Sequence, residues 1–129
     1  MVELDIELTK EEELFLKLRE ERRKLETEVD RLSDMAEEIK DKMYLIEAKE
    51  LIAVSMEEDK KGKKKYSNEQ LRKAALTVRL AENEEYQELK KKYDEIIRKV
   101  RELNSKIMLI DDKLTILEFR LEGFKDVPK

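Results

Sequence analysis

Between residues 86 and 124 the apolar side chains return at intervals that alternate strictly between three and four. Tyr86, Tyr93, Val100, Ile107, Leu114 and Leu121 share one heptad position, a, and Leu89, Ile96, Leu103, Ile110, Leu117 and Phe124 share the other, d. A period of about 3.5 residues keeps a narrow apolar stripe turned toward one neighbouring helix, as in a coiled coil. A strand repeats every two residues and cannot produce this pattern. The spacing therefore predicts a long helix over residues 83–123 whose stripe needs a helical partner.

A matching stripe runs through residues 9–57. Its a positions are Phe15, Arg22, Val29, Ala36, Met43 and Glu50, and its d positions are Leu18, Leu25, Leu32, Ile39, Ile46 and Ala53. Thr9 and Glu12 have the spacing of a capping box, in which each side chain accepts from the other's backbone N–H, so the first helix is expected to start there. Arg22 and Glu50 interrupt the apolar seam. Polar a residues can fix register, or they can lie where the partner helix has ended; the second reading is preferred from the sequence. The expected fold is all-α, an antiparallel coiled-coil hairpin of two long helices within a single domain.

Residues 58–67 form a basic loop turned at Gly62. Ser67 and Gln70 suggest a second capping box, with Ser67 as N-cap of a short middle helix over residues 68–82. Leu71, Ala74, Ala75, Leu76, Val78 and Leu80 give that helix a broad apolar face. Asn83 can cap a new helix, so a break is expected at residues 82–83, with an uninterrupted helix as the alternative. Gly123 is the expected C-terminal stop, with Phe124 folding back on Phe119 and a tail over residues 124–129. At the other end, Val2, Leu4, Ile6 and Leu8 alternate with acids, the pattern of an extended arm over residues 1–8 that either pairs or stays loose.

Both long helices keep apolar residues off the seam. Leu109, Ile116 and Phe119 lie on the back of the last helix, and Leu45, Ala48 and Ile52 lie at the equivalent positions of the first. The middle helix can cover one of these patches, and the other implies a second copy of the chain, so a homo-oligomer is expected with Leu109, Ile116, Phe119, Leu45 and Ile52 at its interface.

Composition narrows the chemistry. Charged residues make up 48% of the chain, with two glycines and one proline, which suits solvated helices; the regular apolar period argues against disorder. There is no cysteine or histidine, hence no disulfide framework, thiolate nucleophile or Cys/His metal cluster. No phosphate-binding glycine loop or EF-hand spacing occurs, and the carboxylates alternate with lysines on helix faces instead of pairing in a pocket. The reading is no enzyme, no cofactor, no metal and no membrane span, in a cytoplasmic protein without a signal peptide. Tyr86 and Tyr93 are read as seam residues with wet hydroxyls.

One signal points outward. Residues 60–79 hold eight basic residues and one acid, a net +7, while the other residues carry 21 basic and 32 acidic groups, a net −11. Lys60, Lys61, Lys63, Lys64 and Lys65 crowd the loop, and Arg72, Lys73 and Arg79 extend the charge along the middle helix. Such a cluster can neutralise phosphates without reading sequence, and Tyr66 among the lysines could stack on an unpaired base. Equally, the lysines could solubilise the loop and pair with acids of the first helix.

Residues 60–88 read KKGKKKYSNEQLRKAALTVRLAENEEYQE. Through Tyr66, Ser67, Asn68, Glu69, Arg72, Ala74, Ala75, Leu80, Glu85, Tyr86 and Leu89 the chain resembles a group of small helical proteins of bacteriophages and prophages, mostly of unassigned function. Their layout is similar to that of recombination mediators of the UvsY type, which oligomerise and bind single-stranded DNA and partner proteins. What the resemblance implies is an accessory of phage-type DNA recombination or replication, with partner proteins from that machinery. Prefoldin subunits also join two long helices through an insert, but theirs is a β-hairpin where this sequence suggests a helix. The other reading of the residues is a structural, adaptor or chaperone-like coiled coil without a nucleic-acid role.

Overall fold

The computed structural model describes residues 7–126, with side chains through residue 123. The alternation of residues 1–6 and the side chain of Phe124 lie outside the described part. Regular structure among the described residues is entirely helical: α1 (Lys10–Met56), α2 (Glu69–Glu82) and α3 (Glu84–Asp126). None of these helices is long and apolar enough to cross a membrane. The sequence reads as one domain; the contacts gather into two compact units, one of residues up to Arg31 with those from Lys99 onward, the other Leu32–Arg98.

In the first unit Leu18 of α1 is buried with Ile110, Leu114 and Leu117 of α3, and Phe15 and Leu25 pack against this cluster. All six are a or d residues of the two stripes. The reciprocal hydrogen bonds of Thr9 and Glu12 open α1: the Thr9 hydroxyl accepts from the Glu12 N–H at 3.1 Å, and the Glu12 carboxylate accepts from the Thr9 N–H at 3.3 Å. Arg22 corrects the sequence reading. It does not lie beyond the end of a partner helix; its Nε donates to Asp111 of α3 at 2.6 Å and its Nη1 to Glu26 at 2.9 Å. A guanidinium on the seam's edge keeps its head in water while its stem covers apolar surface, so the a position is filled without a buried unpaired charge.

In the second unit Leu32, Ala36 and Ile96 are buried. The Tyr86 phenol donates to Glu47 at 2.6 Å. That bond, together with burial and the nearby negative charge, pushes the phenol up to about 12. Glu50, the other polar a residue, faces Arg79 of α2 at 2.6 Å, so it too has a partner and is not frayed. The most buried side chain described is Val54, at 1% exposure, which belongs to neither a nor d. Arg79 explains it. Its guanidinium bonds both Glu50 and Glu57, which stand one turn to either side of Val54 on the same face of α1. The bridge lays α2 over that face.

Every described a and d residue of both stripes, 15 to 53 on α1 and 86 to 121 on α3, is buried or half-buried. The backs stay open: Leu45, Ala48, Ile52, Leu109, Ile116 and Phe119 are all exposed. The expectation that the middle helix covers one of these patches fails: α2 reaches α1 through Arg79 on Glu50 and Glu57, buries no residue of its own, and leaves both patches exposed.

Three local readings change as well. The N-cap of α2 is Asn68, not Ser67: its extended backbone (φ −128°, ψ 164°) lets Oδ1 accept from the Leu71 N–H at 2.8 Å. Asn caps as well as Ser, so the residue nearer the apolar run takes the position. Asn83 alone separates α2 from α3, with ψ at 107°, and its Oδ1 accepts from the Tyr86 N–H at 2.9 Å. Gly123 is not the stop: α3 continues to Asp126, and the only glycine at positive φ among the described residues is Gly62. Residues 124–126 thus belong to helical backbone and not to a tail.

Two measurements test this packing. Leu18→Ala should cost about 2–5 kcal/mol in urea unfolding, as buried leucines do. Leu14→Ala, one turn earlier but 46% exposed, should stay within about 1 kcal/mol. The phenol of Tyr86 is raised above its ordinary 10.0, so its contribution is fully present below pH 10 and is lost as pH climbs through about 12. Spectroscopic titration should show a late ionisation step that belongs to Tyr86, and Tyr86→Phe should remove that step together with the associated alkaline loss of stability.

Candidate nucleic-acid interface

The basic loop is a folded turn. Asp59 organises it from both backbone and side chain. The Gly62 N–H donates to the Asp59 carbonyl at 3.1 Å, the Asp59 N–H to the Lys63 carbonyl at 2.7 Å, and the Asp59 carboxylate accepts from the N–H groups of Lys61 at 2.8 Å and Lys63 at 3.0 Å. Gly62 takes φ 75°, the left-handed value that a three-residue hairpin loop requires at its last position. The two arms then meet once, as an antiparallel bridge between Glu58 and Lys64, with the Lys65 N–H donating to the Glu57 carbonyl at 2.9 Å. The insert between the long helices therefore holds a one-bridge hairpin followed by a helix, where the sequence suggested only a loop and a helix.

This turn separates the basic residues into two groups. Lys60, Lys61, Lys63 and Lys64 are exposed and their ammonium groups make no ion pair among the described residues. The remaining ones are engaged. Lys65 reaches Glu57 at 3.4 Å and lies 5.5 Å from the centre of the Tyr66 ring. The hydrogen bond to Glu57 raises its pKa. Arg79 is held by Glu50 at 2.6 Å and Glu57 at 3.3 Å, its pKa raised chiefly by the Glu50 bond. Lys73 pairs with Glu69 at 3.5 Å, both side chains being well exposed. Arg72 donates to the Tyr66 carbonyl at 3.4 Å, and Tyr66 is half-buried. Of the nine residues singled out from sequence, four lysines thus present uncommitted charge at one hairpin, Lys65 and Arg72 tie the insert to Glu57 and α2, Arg79 ties α2 to α1, and Lys73 pairs within α2.

Sequence reasoning missed Asp59 and Glu57. Asp59 had a signal: Asp at the first and Gly at the fourth position is a preferred pattern of a type I turn. Glu57 had none, because its role depends on α2 folding back over the end of α1.

Elsewhere the surface offers little chemistry. A groove of about 740 Å³ in the first unit is lined by Phe15, Arg19, Arg22, Asp111, Leu114 and Glu118, among other residues, and its best-placed charges, Arg22 and Asp111, already satisfy one another. No group of three metal-ligating side chains occurs among the described residues. The chain matches no family model, no curated protein and no solved structure.

Asp59→Ala should leave the Lys61 and Lys63 amides to water. Hydrogen exchange at both should quicken several-fold while α1 and α3 keep their protection, since the bonds lost lie wholly within the turn.

Proposed function

We propose that this chain is a non-enzymatic, homo-oligomeric coiled-coil protein, a helical hairpin whose seams assemble while its lysine turn holds single-stranded nucleic acid. In this reading it serves as a cytoplasmic accessory of phage-type DNA recombination or replication and works beside other proteins of that machinery. The observation that carries the nucleic-acid part is the group of four exposed lysines, Lys60, Lys61, Lys63 and Lys64, left without acids on an otherwise acidic chain. Ammonium groups on a turn fixed by Asp59 meet phosphates at little cost in backbone order, and they do so regardless of base sequence. The oligomer is supported by the apolar residues left open on the backs of α1 and α3.

A second reading has an observation of its own. Lys65, Lys73 and Arg79 each pair with an acid of the chain, as residues that only brace a turn would do. On that reading the protein is an adaptor or scaffold.

Fluorescence anisotropy with labelled single-stranded DNA separates the two. Replacing Lys60, Lys61, Lys63 and Lys64 with Gln should abolish most binding and leave helix content unchanged. Four contacts give a slope of log affinity against log salt of about −3 on single strands, at roughly −0.7 per contact. Tyr66→Ala should weaken binding by about 1–3 kcal/mol if the ring stacks on a base and by much less if the lysines act alone. No binding at low salt, where attraction between exposed charges is strongest, would favour the adaptor.

A further inference from the structure

The back of α3 in the first unit carries an arrangement that the seam does not explain. Met108, Leu109, Ile116 and Phe119 are all more than half exposed there. In the midst of them stand Asp112 and Lys113, exposed and adjacent. Nearly half of this chain is charged, and helix faces elsewhere pair acids with bases three or four residues apart, as Arg31 does with Glu28 and Lys73 with Glu69. Asp112 has no such neighbour. The residues three and four away from it are Met108, Leu109, Thr115 and Ile116. Around Lys113 they are Leu109, Ile110, Ile116 and Leu117. Neither side chain makes an ion pair among the described residues, whereas Asp111 just before them is taken by Arg22. An acid and a base set side by side in an exposed apolar patch, each lacking an opposite charge on its own helix, match a partner surface that carries the same two charges in reverse order.

A second copy of this face supplies that order. We infer that α3 pairs back to back with α3 of another copy, antiparallel, about a two-fold axis that passes between Asp112 and Lys113. Asp112 of each chain then faces Lys113 of its partner, and the axis makes the contact twice. The same register sets Leu109 against Ile116, also twice, and brings Phe119 to Lys106, whose stem and ammonium can lie over the ring. The face is self-complementary, which is what a two-fold contact between identical chains demands. A one-turn slip in either direction would place Asp112 against an apolar side chain and leave it desolvated without a cation, so the charges also fix the register. This inference rests on the homo-oligomer reading above and specifies its interface; it assigns no role to the open face of α1 around Leu45 and Ile52.

Sedimentation equilibrium of the full chain tests it, with circular dichroism as a check that each variant keeps its helix. Asp112→Lys and Lys113→Asp should each raise the dissociation constant by at least about tenfold, by setting like charges together at a desolvated contact. The double variant, which exchanges the two residues, should recover most of the wild-type affinity. Because the chain has no cysteine, oxidation offers an independent reading. A mixture of Leu109→Cys and Ile116→Cys proteins should form a disulfide-linked dimer, and neither protein alone should do so efficiently. If the wild type associates but the single reversals leave its mass unchanged, or the double variant fails to recover, this face and register are wrong while the oligomer stands. If the wild type sediments as a monomer at every concentration, both readings fall.

Discussion

Two long helices stay ordered in this chain because each hides a narrow apolar stripe. A helix of 47 or 43 residues has little tendency to persist in water by propensity alone; it needs an apolar face buried against something. Here the stripe provides it at every turn. In the first unit Leu18 meets Ile110, Leu114 and Leu117, and in the second Leu32, Ala36 and Ile96 are the buried positions. A narrow stripe leaves the rest of each helix free to carry charge, which is how a chain that is 48% charged still folds. The back-face residues follow from the same geometry. They lie too far round the helix for the seam to reach, so whatever covers them must come from outside the pair.

The polar residues on the stripes show how such a seam tolerates charge. Arg22 and Glu50 occupy a positions, yet neither is buried alone: Arg22 turns to Asp111 and Glu50 to Arg79. Their side chains are long enough to lead the charge to the edge of the interface, where it finds an opposite charge and water together. Tyr86 does the same with a neutral group, its ring on the stripe and its hydroxyl on Glu47. Each of these contacts links a specific residue of one helix to a specific residue of another. They constrain alignment more than an apolar stripe can, since a purely apolar seam looks much the same after a shift of one heptad. Their contribution is selectivity of pairing within each unit, because half-exposed ion pairs add little to stability.

Much of this was legible in the residues. The heptad stripes located both long helices, the Thr9 and Glu12 box marked the start of the first, and Asn83 marked the break between α2 and α3. These are local signals, written within a few residues of the feature they produce. The misreadings have a common cause. Ser67 and Asn68 cap about equally well, so the choice depended on where the apolar run of α2 settled. Gly123 tolerates the left-handed conformation but does not require it, and α3 passes through it in helical form. Val54 is buried between Glu50 and Glu57, the two acids that Arg79 of α2 bonds, and no periodicity within α1 could announce that placement. The candidate site divides the same way. The lysine cluster was plain from composition, but which lysines are free and which are tied down depends on Glu50 and Glu57, acids contributed by another element.

The division within the basic segment connects the fold to the proposed function. Arg79 and Lys65 converge on Glu57, and Asp59, two residues later, closes the hairpin that carries the remaining lysines. The same short stretch of acids at the end of α1 therefore holds α2 down and shapes the turn. Were all eight basic residues free, mutual repulsion would spread the segment and leave the turn without a defined form. Were all of them paired, no charge would remain for an anion. On the proposed reading, committing Lys65 and Arg79 to Glu57 and Glu50 while leaving Lys60, Lys61, Lys63 and Lys64 open would meet both needs: the paired cations brace the insert, and the unpaired ones, held a few residues apart by a fixed backbone, stay available to a polyanion. On the proposed nucleic-acid reading, the acidic remainder would repel phosphates from the helix faces and leave the hairpin as the favourable place for a polyanion to approach.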